Sequence, residues 1–161
     1  NYDDFSTTNN LHTLWSIRKE LNEDVIITFA DLVLHNAILT NLITSNNDFT
    51  MVIDTSKVLE STMRVAIKEN LIKNITTTSI SEANGNFIGI AKINKKGCQL
   101  LVNQMSNIIN GSLQDYYTIA IDNLARSGTE VNYLDVKNFI WREVDTLDEY
   151  EEVISIYNEF S

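Results

Sequence analysis

"DVIITFADLVLHNAILTNLITSNNDFTMVIDT", residues 24–55, decides the fold. The segment "DVIITFAD" crowds β-branched and aromatic residues into a short run, which predicts a buried strand ending on Asp31. "HNAILTNLITS" then spaces its apolar residues at helical intervals, and "FTMVIDT" predicts a second buried strand. Strands that are apolar on both faces, separated by a helix, belong in a sheet covered on both sides.

Upstream, residues 1–9 are polar and read as loop. Leu11, Leu14, Trp15 and Leu21 recur at helical spacing behind Asn9 or Asn10 as N-cap. Downstream, "TMRVAIKENLIKNITT" alternates, turns at Glu69-Asn70 and alternates again, which predicts a hairpin. "NGNFIGIAKI" is a further strand, opened by a turn around Asn84-Gly85. Two helices follow, over residues 94–110 and 114–126, ending at Gly111 and Gly128. "EVNYLDV" and "NFIWREV" predict closing strands, and residues 146–160 a terminal amphipathic helix. The interleaving predicts one α/β domain over residues 1–161, with a mainly parallel sheet, mixed at one edge and flanked by helices. There is no internal repeat and no linker.

Composition narrows the function. The chain has 161 residues, 43% of them hydrophobic, enough to bury one core. A single cysteine, Cys98, excludes an intrachain disulfide, and with only two histidines, His12 and His35, no Cys/His zinc site is predicted. Both histidines read as surface or partly buried helix residues. No apolar run is long enough to span a bilayer and no signal-peptide pattern opens the chain, so the expectation is a cytoplasmic protein without a membrane partner. The net charge is −10, and the last twenty residues hold seven acids against one base, Arg142. That argues against a nucleic-acid surface, which needs basic patches. It leaves room for a small phosphorylated substrate accompanied by a divalent cation.

The acids are not scattered. In "FIWREVDTLDEYEEV", residues 139–153, Glu143 and Asp145 stand one residue apart at a strand end and so share a face. Thr146 with Glu149 has the spacing of a helix capping box, and Asp145 could itself cap. Asp31 also stands at a strand's carboxyl end, in a strand expected to be central. Open α/β sheets bind ligands beyond such ends. Two strand-end carboxylates from distant parts of the chain could hold one Mg²⁺, which favours one or two carboxylates with phosphate and water. Asp115, Tyr116 and Tyr117 open a predicted helix. With Trp141 they read either as packing or as a ligand wall able to receive an amine by cation–π contact. No nucleophile motif and no glycine-rich phosphate loop is present.

In order and rough spacing, "NNLHTLW", "VIITFADLVL", "MVIDT", "NFIGIAKI", "DYY" and "WREVDTLDEYEEV" resemble the later part of nucleotidyltransferases with a Rossmann-like fold. The likeness is nearest to cytidylyltransferases acting on phosphocholine or phosphonates, including domains fused to phosphoenolpyruvate phosphomutase. It covers essentially the whole chain, and its most specific pieces are "FAD" and "EVDTLDEYE". The resemblance implies that Asp31 and Asp145 are catalytic Mg²⁺-binding carboxylates. Glu143 stands in reserve, where sugar-phosphate relatives carry their second acid.

The resemblance further implies transfer of CMP from CTP to a phosphocholine- or 2-aminoethylphosphonate-type acceptor, with release of pyrophosphate. The acceptor would be bound by Asp115, Tyr116, Tyr117, Trp141 and Glu143. A sugar-1-phosphate nucleotidylyltransferase and a non-catalytic α/β interaction module are the alternatives. The expected partners are CTP or another nucleoside triphosphate and the small acceptor, with a fused phosphomutase domain or a homodimer left open. The family's glycine-rich basic loop and Pro-Lys pair are absent from this sequence. The chain, which begins at Asn1, therefore resembles the C-terminal two-thirds of such a domain and is expected to be catalytically incomplete alone.

Overall fold

The computed structural model describes residues 6–59, 63–78 and 80–160. Helix α1, Asn10–Ser16, starts where the Asn9 side chain accepts from the Asn10 N–H at 2.7 Å. A single 3₁₀ turn then carries Leu21 into the core. Strand β1 covers Val25–Thr28 and β2 Leu32–Leu34, followed by α2, Asn36–Ile43, and β3, Phe49–Asp54. His35 caps α2, its Nδ1 accepting from the Ala37 N–H at 3.1 Å.

Strands β4, Met63–Lys68, and β5, Leu71–Thr76, form the expected hairpin. Its turn residues Glu69 and Asn70 both have positive φ, 54° and 62°, as a tight two-residue turn between right-twisted strands requires. Strand β6 runs Gly85–Ile93, α3 Lys95–Ile108 and α4 Thr118–Arg126. Strand β7 is Asn132–Asp135, β8 Trp141–Glu143 and α5 Leu147–Ser155.

The main sheet runs β5-β4-β6-β3-β7, with β1 also paired to β6. Its two faces bury different clusters. Phe49, Met51 and Ile53 of β3 and Phe87, Ala91 and Ile93 of β6 pack with α1, α3 and α4 residues such as Leu11, Leu101 and Ile121. Val52, Ile88 and Ile90 turn the other way, onto Ile38 and Leu42 of α2 and the inner side of the β2–β8 ribbon. The α/β reading and the mixed, helix-flanked sheet therefore hold.

The expectation of a mainly parallel sheet does not. Among the described strands only β3 and β7 pair in parallel; β1–β6, β3–β6, β4–β5 and β4–β6 are antiparallel. Burial on both faces gave β3 and β6 the unbroken apolar look of parallel strands. Short connections without a crossover helix, as between β4 and β5, nonetheless force reversal of direction. Three further corrections concern where elements lie. Strand β1 ends at Thr28, so Asp31 sits in the turn before β2, and β1 touches only β6 instead of lying centrally. Strand β8 leaves the main sheet to pair with β2. Helix α4 begins at Thr118, so Asp115 precedes it and does not serve its first turn.

Strand β6 fixes the site. One of its edges is taken by β3. The other is divided between β4, which pairs with Gly85–Phe87, and β1, which pairs with Ile90–Ile93. Between them the chain bends at Gly89, whose φ is +94°. The sheet opens there.

Candidate functional site

A Cβ on Gly89 would lie 2.7 Å from the Phe29 ring, and its backbone angle already disfavours any side chain. The Phe29 N–H donates to the Gly89 carbonyl at 2.9 Å, which carries the chain out of β1 over the gap in the sheet. Phe29 is held from behind by edge-on contacts with Phe87 and Tyr117, ring centroids 6.0 and 6.4 Å apart. The chain then turns through Ala30 and Asp31 into β2.

Strand β2 pairs with β8, Leu32 opposite Glu143, and the ladder continues one step as the Val144 N–H donates to the Asp31 carbonyl at 2.9 Å. A cavity of about 910 Å³ opens over this junction. Its walls include Asp31, Gly89, Tyr116, Trp141, Glu143 and Asp145.

Three carboxylates, Asp31, Glu143 and Asp145, line this cavity. One oxygen of Asp31, Oδ1, is buried without a hydrogen-bond partner, a state that costs about 1–3 kcal/mol unless something fills it. Burial, and then the negative charges of Asp31, Asp145 and Glu149, raise the Glu143 carboxyl above its ordinary range. Glu149 is pulled the other way. Its Oε2 accepts from the N–H groups of Asp145 and Thr146 and from the Thr146 hydroxyl at 2.8–2.9 Å, which favours the charged form.

With the Thr146 side chain accepting from the Glu149 N–H, these bonds complete the capping box that the sequence predicted. Because Thr146 and Glu149 do the capping, the Asp145 side chain is left to the cavity. Oxygen-only donors beside an unfilled carboxylate oxygen suit a hard divalent cation such as Mg²⁺. Among the described residues no group of three or more His, Cys, Asp or Glu is arranged to hold a metal by itself. A pair of carboxylates completed by substrate oxygens and water is the arrangement these residues fit.

Of the residues singled out in the sequence, Asp31, Tyr116, Trp141, Glu143 and Asp145 meet at this cavity, and Asp115 and Tyr117 do not line it. Tyr117 is 1% exposed in the core, where burial raises its hydroxyl pKa, and it backs the site through Phe29 and through its N–H, which donates to the Asn10 Oδ1 at 2.8 Å. The Asp115 carbonyl accepts from the Leu11 N–H at 3.3 Å. Neither histidine lines the cavity.

Two contributors escaped the sequence reading. Gly89 shapes the gap, and Asp54, at the end of β3, fixes Trp141 by accepting from its indole N–H at 2.9 Å. The signal for Asp54 was available, since the strand run "FTMVID" ends on an acid as "TFAD" does. Among the described residues no helix is long and apolar enough to cross a membrane.

No family model matches the chain, and no curated protein matches it. Solved structures do match. An inositol-1-phosphate CTP transferase from T. maritima superposes with a TM-score of 0.76 at 16% identity, over 96% of this chain and 63% of that one. A CTP:phosphocholine cytidylyltransferase from Streptococcus pneumoniae gives 0.76 at 15% identity, over 97% and 67%. A UDP-glucose pyrophosphorylase in complex with UDP-glucose gives 0.69 at 14% identity, over 96% and 64%. At these identities the likeness is one of fold. The chain spans about two-thirds of the length of the structures it matches.

Proposed function

We propose that this chain is part of a nucleotidyltransferase that moves CMP from CTP to a small phosphate or phosphonate acceptor and releases pyrophosphate. The observation that carries the reading is the meeting of Asp31, Glu143 and Asp145 at one large cavity, with a buried oxygen of Asp31 left without a partner. The fold neighbours support the class of reaction, and the two CTP-using proteins among those described superpose with the higher scores.

In the proposed reaction an acceptor oxygen attacks the α-phosphorus of CTP. A new phosphorus–oxygen bond forms, and the bond from the α-phosphorus to the bridging oxygen breaks with its electron pair leaving on pyrophosphate. A phosphate or phosphonate oxygen is already ionised near neutral pH, so no side chain has to remove a proton. The work left to the chain is positioning and electrostatics. Asp31 and Asp145 would hold Mg²⁺, which when bound neutralises charge on the phosphates. Glu143 adds a third carboxylate to the cavity wall, which favours a positively charged acceptor tail. Tyr116 and Trp141 offer it aromatic faces worth about 0.5–2 kcal/mol to an ammonium group. Asp54 keeps the Trp141 ring in place through the indole N–H.

The test is pyrophosphate release from CTP with phosphocholine, 2-aminoethylphosphonate or glucose-1-phosphate as acceptor. It should be run on this chain and on any longer polypeptide that contains it. Turnover with either cationic acceptor supports the reading. Preference for glucose-1-phosphate would move the assignment to a sugar-phosphate nucleotidylyltransferase. Absence of turnover with every nucleotide and acceptor, in a polypeptide that also carries a basic glycine-rich loop, would reject nucleotidyl transfer.

A further inference from the structure

A second cavity, of about 480 Å³, lies on the other side of Trp141 and Glu143, which line both. It opens where β3 and β7, the one parallel pair among the described strands, come to their carboxyl ends. Ser56, Lys57 and Leu59 follow β3, and Lys137 and Phe139 follow β7. Ligands of open α/β sheets are found beyond the carboxyl ends of parallel strands.

Its charge differs from the rest of the molecule. In a chain of net charge −10, three cations, Lys57, Lys137 and Arg142, converge on this one recess. The acids at the two strand ends are already occupied by the protein. Asp54 accepts from the Ser56 N–H at 2.8 Å and from the Trp141 indole at 2.9 Å. Asp135 accepts from the Thr55 hydroxyl at 2.7 Å and the Lys137 N–H at 3.1 Å.

What remains for the cations is loose. Lys137 reaches the half-buried Asp135 only at 3.5 Å, and Arg142 pairs with Glu152 at 3.1 Å while donating to the Trp141 carbonyl at 2.9 Å. Such pairs contribute at most about 1 kcal/mol, so a better anion displaces them easily. The Lys57 ammonium has no partner among the described residues.

We propose that this cavity is an anion site for a phosphoryl dianion, free or as a small phosphomonoester, held by Lys57, Lys137 and Arg142 with the Trp141 and Phe139 rings beside it. The inference does not rest on nucleotidyl transfer, because none of the carboxylates assigned to that reaction holds the anion.

The experiment is an NMR titration of this chain with inorganic phosphate and with phenyl phosphate, each at constant ionic strength set with sodium chloride. The probes are the Trp141 indole N–H and the amides of Lys57 and Lys137. Expected are saturable shifts at these probes, weakened about tenfold by Lys57→Gln and again by Lys137→Gln. They should be unchanged by Asp31→Asn. Tighter binding of phenyl phosphate identifies a phosphomonoester as the guest, and equal binding identifies free phosphate. Lys57 and Lys137 are exposed, so both variants should fold, and circular dichroism checks that they do. Shifts no larger than those from chloride alone, shifts confined to Ala30 and Gly89, or binding that survives both lysine substitutions would overturn the inference.

Discussion

The carbonyl oxygen of Asp31 accepts from the N–H of Val144 at 2.9 Å, and this backbone bond joins the two acidic segments of the chain at one point. Because it involves no side chain, the junction is indifferent to what charge Asp31 carries. Replacing that charge therefore separates folding from chemistry.

Asp31→Asn should leave stability within about 1 kcal/mol of the parent. In the proposed reaction it should cost about a hundredfold or more in kcat/KM, the order seen when a charge-stabilising group is removed from a reacting centre. Thermal melts and pyrophosphate release, measured on the same preparation, check both halves. Full turnover in a magnesium-dependent parent would return Asp31 to a purely structural role.

Glu143 yields a prediction in pH. Its folded pKa is raised by burial and by neighbouring acids, so the protonated form is favoured in the folded state. Any stabilisation from it is present below the unfolded pKa near 4.5 and is lost as pH rises through the folded value. At neutral pH the ionised group is a cost. Glu143→Gln should match the parent's melting temperature near pH 4 and exceed it at pH 7, in the absence of divalent cations. Added millimolar magnesium should stabilise the parent more than the variant. Equal melting curves at pH 7 would show that the acids do not repel one another.

The sequence disclosed these acids because strand ends and caps are local patterns. The pair Thr146/Glu149, the turn at Glu69-Asn70 and the run "FTMVIDT" each depend on a few consecutive residues, and each stands in the structure as read. What stayed hidden depends on who neighbours whom. Nothing within "NFIGIAKI" says that β6 shares one edge between β1 and β4, and hence that Gly89 marks a gap in the sheet. Tyr117 illustrates the same limit. Beside Tyr116 in sequence it looked equally available, yet at the N-cap of α4 it is buried in the core while Tyr116 remains on the cavity wall.

The hairpin turn offers a gain in stability. Glu69 holds φ at 54°, a region where asparagine and glycine are at ease and a long side chain is strained. Glu69→Asn should stabilise the protein by about 0.5 kcal/mol. The neighbouring Asn70 is left alone because its Oδ1 accepts from the Tyr133 hydroxyl at 3.3 Å. A denaturant midpoint below the parent's, at unchanged slope, would contradict the strain assigned to Glu69.

The joint between α4 and β5 rests on Asp122, which is 7% exposed. One carboxylate oxygen accepts from both the Ile75 N–H and the Asn74 side-chain amide at 2.7 Å, and the other from Arg126 at 2.7 Å. The two halves differ in worth. Arg126 is exposed, so its ion pair contributes only about 0.3–0.5 kcal/mol as an i,i+4 surface pair. The Ile75 N–H is buried, and stripping it of its acceptor leaves a donor that water does not reach, at about 1–3 kcal/mol. Asp122→Ala should therefore destabilise by about 2–4 kcal/mol, counting the second lost bond to Asn74, and Arg126→Ala by less than 1 kcal/mol. Equilibrium urea unfolding of the two variants measures the ratio. If Arg126→Ala cost as much as Asp122→Ala, the ion pair would be the anchor and the buried N–H incidental.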